Sequence, residues 1–96
     1  MPRRLLILGS TGSIGTQALD VVRAAPEGTF EIVGLAAGRG WEPLLEQARE
    51  FGVGLVALSD PEAAARAESA WPEGRVLQGA EGLVHLVLES GADLVL

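Results

Sequence analysis

Gly9-Ser10-Thr11-Gly12-Ser13-Ile14-Gly15 is the stretch on which the fold turns. It follows the apolar run Leu5-Leu6-Ile7-Leu8 and opens an amphipathic run from Ile14 to Ala25. A strand, a glycine-rich turn and a helix, in that order, hold the pyrophosphate of a dinucleotide. Glycines let the backbone turn tightly and let phosphate oxygens approach. The free N–H groups and the positive dipole end of the new helix then bind the anion. The spacing is G-x-x-G-x-x-G, one residue longer at the front than the common G-x-G-x-x-G. An ordinary βα turn that needs positive φ would use the same glycines. The placement between a buried strand and a helix is the context that favours anion binding.

Outward from that turn, strands and helices alternate. Leu5 to Leu8 is continuously apolar, as in a strand covered on both faces. Ile14, Ala18, Val21, Val22 and Ala25 fall on one stripe at helical period, and Pro26-Glu27-Gly28 ends that helix. Phe30 to Ala36 reads as a second strand, followed by the turn Gly38-Arg39-Gly40. Pro43 to Phe51 reads as a helix with Leu44, Ala48 and Phe51 on one side, stopped by Gly52. Val53 to Leu58 is a third strand. Ser59-Asp60-Pro61-Glu62 starts the next helix, either with Ser59 and Glu62 as a capping box or with Asp60 as cap and Pro61 at the first helical position. That helix runs to about Trp71. Arg75 to Leu77 reads as a short strand, and Ala80, Leu83, Val84, Val87 and Leu88 form another helical stripe. Asp93 to Leu96 begins a fourth main strand.

This alternation predicts an α/β fold: a Rossmann-type, doubly wound parallel sheet with helices on both faces and main strand order 3-2-1-4. Leu94-Val95-Leu96 stops inside an apolar strand pattern without a polar tail. Residues 1–96 therefore read as the N-terminal part of something longer.

Composition narrows the function. The chain has 96 residues, 48% of them hydrophobic, enough for one core. A domain of this size buries only about 60–65% of its unfolded surface and is marginal alone. Thirteen acidic residues against seven basic give a net charge of −6, which argues against a nucleic-acid partner. Backbone amides can still bind phosphate without net charge. There is no cysteine, which excludes disulfides, thiolate metal sites and a cysteine nucleophile. The apolar run after Arg3-Arg4 stops at Gly9, short of a signal peptide's core of about 7–15 residues. No apolar stretch approaches the ~18 residues of a membrane span, so a cytoplasmic protein is expected.

Arg39 is the second informative residue. A domain that binds NAD carries an acid near the end of its second strand for the ribose 2′-hydroxyl. Here that strand ends Ala36-Ala37-Gly38-Arg39-Gly40, with an arginine where a 2′-phosphate would lie. A guanidinium matches a phosphate through two parallel hydrogen bonds. The bland alternative is a solvated surface arginine. His85, the only histidine, has Glu81 and Glu89 four residues to either side and is expected to face solvent. Trp41 and Trp71 read as packing residues, with Trp41 also close enough to the Arg39 turn to cover an adenine face. No carboxylate cluster has metal-ligand spacing, and no nucleophile–base pair can be assembled.

The run from Leu6 to Val22, Leu-Ile-Leu-Gly-Ser-Thr-Gly-Ser-Ile-Gly-Thr-Gln-Ala-Leu-Asp-Val-Val, closely resembles the opening of the 1-deoxy-D-xylulose 5-phosphate reductoisomerases. Val33 to Gly38, Leu58-Ser59-Asp60 and Gly91 to Val95 resemble that family as well. The resemblance covers the whole chain but only the first quarter of a family member. It implies an NADPH-binding portion of an oxidoreductase that makes 2-C-methyl-D-erythritol 4-phosphate in non-mevalonate isoprenoid synthesis. It places Thr11, Gly12, Ser13 and Ile14 on the cofactor phosphates and Gly38, Arg39 and Gly40 around the 2′-phosphate. It implies a divalent cation, magnesium or manganese, and a homodimer for the full-length protein only. The family's metal, substrate and catalytic residues would lie beyond Leu96. Many members carry Lys-Asn where this chain has Arg39-Gly40; arginine keeps the charge, while Gly40 lacks the amide. Two other readings remain open on the residues alone: the cofactor domain of another oxidoreductase, such as a semialdehyde dehydrogenase, and a nucleotide-sensing module without catalysis.

Overall fold

A computed structural model describes residues 2–96. Its elements run β1 (Arg3–Leu8), α1 (Ser13–Ala24), β2 (Phe30–Ala37), α2 (Trp41–Phe51), β3 (Leu55–Leu58), α3 (Pro61–Ala70), β4 (Arg75–Gln78), α4 (Gly79–Glu89) and β5 (Leu94–Val95). The strands form one five-stranded sheet in the order β4-β3-β2-β1-β5, and each neighbouring pair is parallel. The expected order of the main strands is therefore present, with the short strand β4 added outside β3.

Side chains that alternate along the strands define two cores. Leu5, Ile7, Leu35, Val56 and Leu58 point to one face, where they meet Leu19 of α1, Leu44, Leu45 and Ala48 of α2, and Ala63, Ala64 and Ala67 of α3. Leu6, Ala36 and Ala57 point to the other face and meet Leu86 of α4. Both faces of a parallel sheet must be covered, which is why β1 reads as an unbroken apolar run. Each leucine so buried contributes roughly 1.5–3 kcal/mol.

The two apolar stripes read from the sequence coincide only in part with the faces that pack. In α1 Ala18 and Val22 of the stripe pack against the core beside the buried Gly15 and Leu19, while Ile14 is 84% exposed and Val21 62% exposed. In α4 Leu83 packs beside the buried Gly82 and Leu86, while Val84, Val87 and Leu88 are exposed. Both corrections have one cause: each helix lays a glycine against neighbouring backbone and drives in a leucine one turn later. A Cβ on Gly15 would lie 2.3 Å from Gly9 O, and one on Gly82 would lie 2.9 Å from the Leu77 carbonyl carbon. Close approach, not the count of apolar residues, sets the rotation of these helices.

The caps settle the start of α3. Asp60 is its N-cap, its carboxylate accepting from Ala63 N at 3.0 Å, with Pro61 at the first helical position. Trp71 is buried and Trp41 packs partly buried against the first core, as expected of both. At the ends away from the strand tips, Arg23 of α1 is hydrogen-bonded to Glu50 of α2, which holds that carboxyl below its ordinary pKa.

Candidate functional site

β1 pairs with β2 on one side and β5 on the other. The chain leaves β1 toward β2 through α1, and it reaches β5 only after crossing the opposite face through α4. Such a switch in direction opens a crevice at the carboxyl ends of the strands, the place where ligands bind in open α/β sheets. The turn 9–12 sits in this position, directly after β1.

The turn is built almost wholly from backbone. Gly9 has φ of +67°, a conformation that other residues rarely adopt. Gly12 N donates to Gly9 O at 3.0 Å, closing the turn. Ser10 is fully buried, and its N–H donates to Ala36 O at the end of β2, 2.9 Å away. Gly12 then becomes the N-cap of α1, without any side-chain cap and without an acidic residue in the first turn. The N–H groups of Thr11, Ser13 and Ile14 make no hydrogen bond among the described residues. A helix start left uncapped in this way presents its amides and its positive dipole end to an anion. Thr16 turns its hydroxyl inward instead, to Gly12 O and Ser13 O at 3.0 Å each.

The Gly38–Gly40 loop stands beside this turn. Asp60 N donates to Gly38 O at 3.0 Å, and Trp41 N donates to Arg39 O at 2.7 Å, so both ends of the loop are tied. Gly40 caps α2. A Cβ on Gly40 would lie 3.3 Å from Thr11 Oγ1, so the turn and the loop touch through these two residues. Arg39 itself is exposed. Arg23, Arg49, Arg66 and Arg75 are each held by a carboxylate. Arg39 has no ion-pair partner among the described residues, which leaves its guanidinium available.

Two clefts lie beside these parts. One, of about 160 Å³, lies over the strand ends and is lined by Leu8, Gly9, Ala37, Gly38, Ser59 and Leu83 among others. The second, of about 170 Å³, is lined by Arg39, Trp41, Asp60, Glu62, Ala63 and Arg66. The structure thus brings together Thr11, Gly38, Arg39 and Gly40. Gly12, Ser13 and Ile14 follow at the start of α1. His85 is on the exposed side of α4, away from both clefts, and its neighbour Glu89 is taken up by Arg75 at 2.6 Å. Among the described residues no group of three or more His, Asp or Glu side chains could hold a metal ion. Among the described residues no helix is long and apolar enough to cross a membrane. Sequence reasoning passed over Gln47, a buried residue of α2 that reaches Ser10. A polar residue between Leu45 and Ala48 on a helix's apolar side was the available signal.

A parallel sheet with a glycine turn at its switch point, an uncapped helix start and a free arginine beyond β2 defines a dinucleotide-binding domain of the Rossmann type. Comparison with known proteins places it further. Residues 5–96 match the model of the 1-deoxy-D-xylulose 5-phosphate reductoisomerase family, and the chain belongs to that family. It is 51% identical over 96 residues to the reductoisomerase of Rhodococcus jostii (strain RHA1), covering 99% of this chain and 23% of that protein. It is 52% identical over 96 residues to that of Anaeromyxobacter sp. (strain K), covering 98% of this chain and 24% of that protein. The chain thus spans about a quarter of the length of these relatives. Among solved structures, the Zymomonas mobilis reductoisomerase in complex with NADPH superposes with a TM-score of 0.88 at 27% identity, over 99% of this chain and 25% of that one. A reductoisomerase in complex with NADPH, fosmidomycin and magnesium gives 0.88 at 30% identity, over 97% of this chain and 23% of that one.

Proposed function

We propose that this chain is the N-terminal, NADPH-binding portion of an enzyme that converts 1-deoxy-D-xylulose 5-phosphate to 2-C-methyl-D-erythritol 4-phosphate in non-mevalonate isoprenoid synthesis. The observation that carries the reading is the pairing, on one edge of the sheet, of an uncapped helix start with an arginine that has no ion-pair partner among the described residues. The cofactor fits what is there: the amides of Thr11, Ser13 and Ile14 would receive the pyrophosphate. Arg39 would meet the 2′-phosphate, with Gly38 and Gly40 letting the loop close on the adenosine end. Bound there, NADPH supplies the hydride for the reduction. The buried turn holds the phosphates in a fixed place, and fixed placement of a cofactor is what a reductase's binding domain contributes.

A divalent cation does not fit these residues, because the described chain offers no cluster of acidic or histidine ligands. In this reading the cation, the sugar phosphate and the catalytic groups are held by the remainder of a longer protein, which acts in the cytoplasm as a homodimer. Relatives solved in complex with NADPH support the cofactor; the exposed Arg39, unpaired among the described residues, supports the choice of the phosphorylated form.

The test is turnover by the full-length protein. With 1-deoxy-D-xylulose 5-phosphate and magnesium it should oxidise NADPH, while residues 1–96 alone should show no turnover. Binding of NADPH without consumption of this substrate by the full-length protein would contradict the reading. So would turnover by the 96-residue chain.

A further inference from the structure

Gln47 is a buried polar residue on α2, 9% exposed, in a row otherwise filled by Leu44, Leu45 and Ala48. Its Nε2 donates to Ser10 O at 3.0 Å, across 37 positions of sequence. A buried amide is costly unless it is hydrogen-bonded, so its presence needs an explanation beyond packing. The partner supplies one. Ser10 is the buried residue of the glycine turn, and its N–H is already held by Ala36 O at the end of β2. Its carbonyl is held by Gln47. The peptide unit that follows is planar and trans, so the direction of the Ser10 carbonyl fixes the direction of the Thr11 N–H, pointing the opposite way. Gln47 lies inside, under the turn. The Thr11 N–H therefore points out of the protein, and it has no partner among the described residues.

We infer that Gln47 is a positioning residue for the pyrophosphate turn. By holding the Ser10 carbonyl it aims the Thr11 N–H at the bound phosphate. The inference rests on the NADPH reading above. It also gives α2 a second task. The helix starts at Trp41, immediately after the Arg39 loop, and two turns later it grips the glycine turn. One rigid element thereby fixes the distance between the group that would bind the 2′-phosphate and the amides that would bind the pyrophosphate.

The test uses the full-length protein and titrates NADPH and NADH against the wild type, Gln47→Met, Leu45→Ala and Arg39→Ala. Methionine keeps the length and apolar stem of Gln47 and removes the amide, and with it the donor to Ser10 O. Leu45→Ala is the control for loss of packing in the same helix. Gln47→Met should raise the dissociation constants of both cofactors by the same factor, roughly three- to tenfold, the worth of one misdirected hydrogen bond. It should also raise the KM for cofactor while kcat holds. Leu45→Ala should lower the melting temperature and leave both dissociation constants in place. Three results would overturn the inference: unchanged affinities in Gln47→Met, a loss confined to NADPH, or an equal loss in Leu45→Ala. A wild type and Arg39→Ala pair with the same affinity for NADPH would instead remove the NADPH reading on which it stands.

Discussion

Gly9 to Gly15 and Gly38 to Gly40 lie side by side on the carboxyl edge of the sheet, but one is anchored from below and the other only at its ends. In the turn, Ser10 is sealed off from solvent, its N–H is tied to β2 and its carbonyl to α2, and Gly15 is pressed against the backbone of Gly9 and Ser10. In the loop, two backbone hydrogen bonds hold Gly38 and Trp41, and between them the Arg39 side chain projects without an ion-pair partner among the described residues. In the proposed reading, a rigid array of amides would recognise what every dinucleotide shares, its pyrophosphate. A single exposed guanidinium would recognise what only some carry, a 2′-phosphate. Affinity and choice of cofactor would then rest on different residues, and substitutions should separate them.

The largest effect should come from Gly15→Ala. The new Cβ would lie 2.3 Å from Gly9 O and 2.6 Å from Ser10 Cα, so backbone must move. Overpacking of this kind costs about 1–3 kcal/mol of stability, and the displaced turn would lose its aim. Thermal unfolding should show the lower stability, and both NADPH and NADH should bind on the order of a hundredfold more weakly. Retained binding of either cofactor would show that the turn tolerates displacement. Gln47→Met comes next, with its smaller loss shared equally by the two cofactors. The smallest effect should come from Glu50→Gln, at the end of α2 away from the site. The Arg23 hydrogen bond lowers the Glu50 pKa, so the folded state gains from the ionised carboxylate at neutral pH. That gain is lost as pH falls through the folded-state value. The variant should therefore be slightly less stable at pH 7, converge with the wild type in acid, and bind both cofactors normally. An altered cofactor affinity in Glu50→Gln would break the separation between the site and the far end of α2.

The turn was legible in the sequence because its information is local. Glycines between an apolar run and a helix admit few other backbones, and Arg39 stands where an acid is otherwise needed. The faces of α1 and α4 were legible only in part, through Ala18, Val22 and Leu83. Periodicity finds an apolar stripe, but it cannot tell whether that stripe meets the sheet or the outside. Ile14 and Val21, and Val84 and Leu88, lie on those stripes yet face outward. The decisive pairs are Gly15 with Leu19 and Gly82 with Leu86, a glycine for close approach and a leucine one turn on. Gln47 was hidden for a related reason: its partner is a carbonyl 37 residues away, and no pattern along the chain records which backbone group a buried amide will meet. The α3 cap lay between these cases. Sequence offered Ser59 or Asp60, and the geometry at Ala63 N chose Asp60.

The most direct measurement is the dissociation constant of full-length Arg39→Ala for NADPH and for NADH, titrated side by side with the wild type. A charge-assisted contact with phosphate is worth about 1.5–3 kcal/mol, so NADPH should bind roughly ten- to a hundredfold more weakly. NADH, which lacks that phosphate, should keep its affinity. Equal losses for both cofactors would mean that Arg39 supports the loop rather than reading the phosphate, and the division of labour between turn and loop would be wrong.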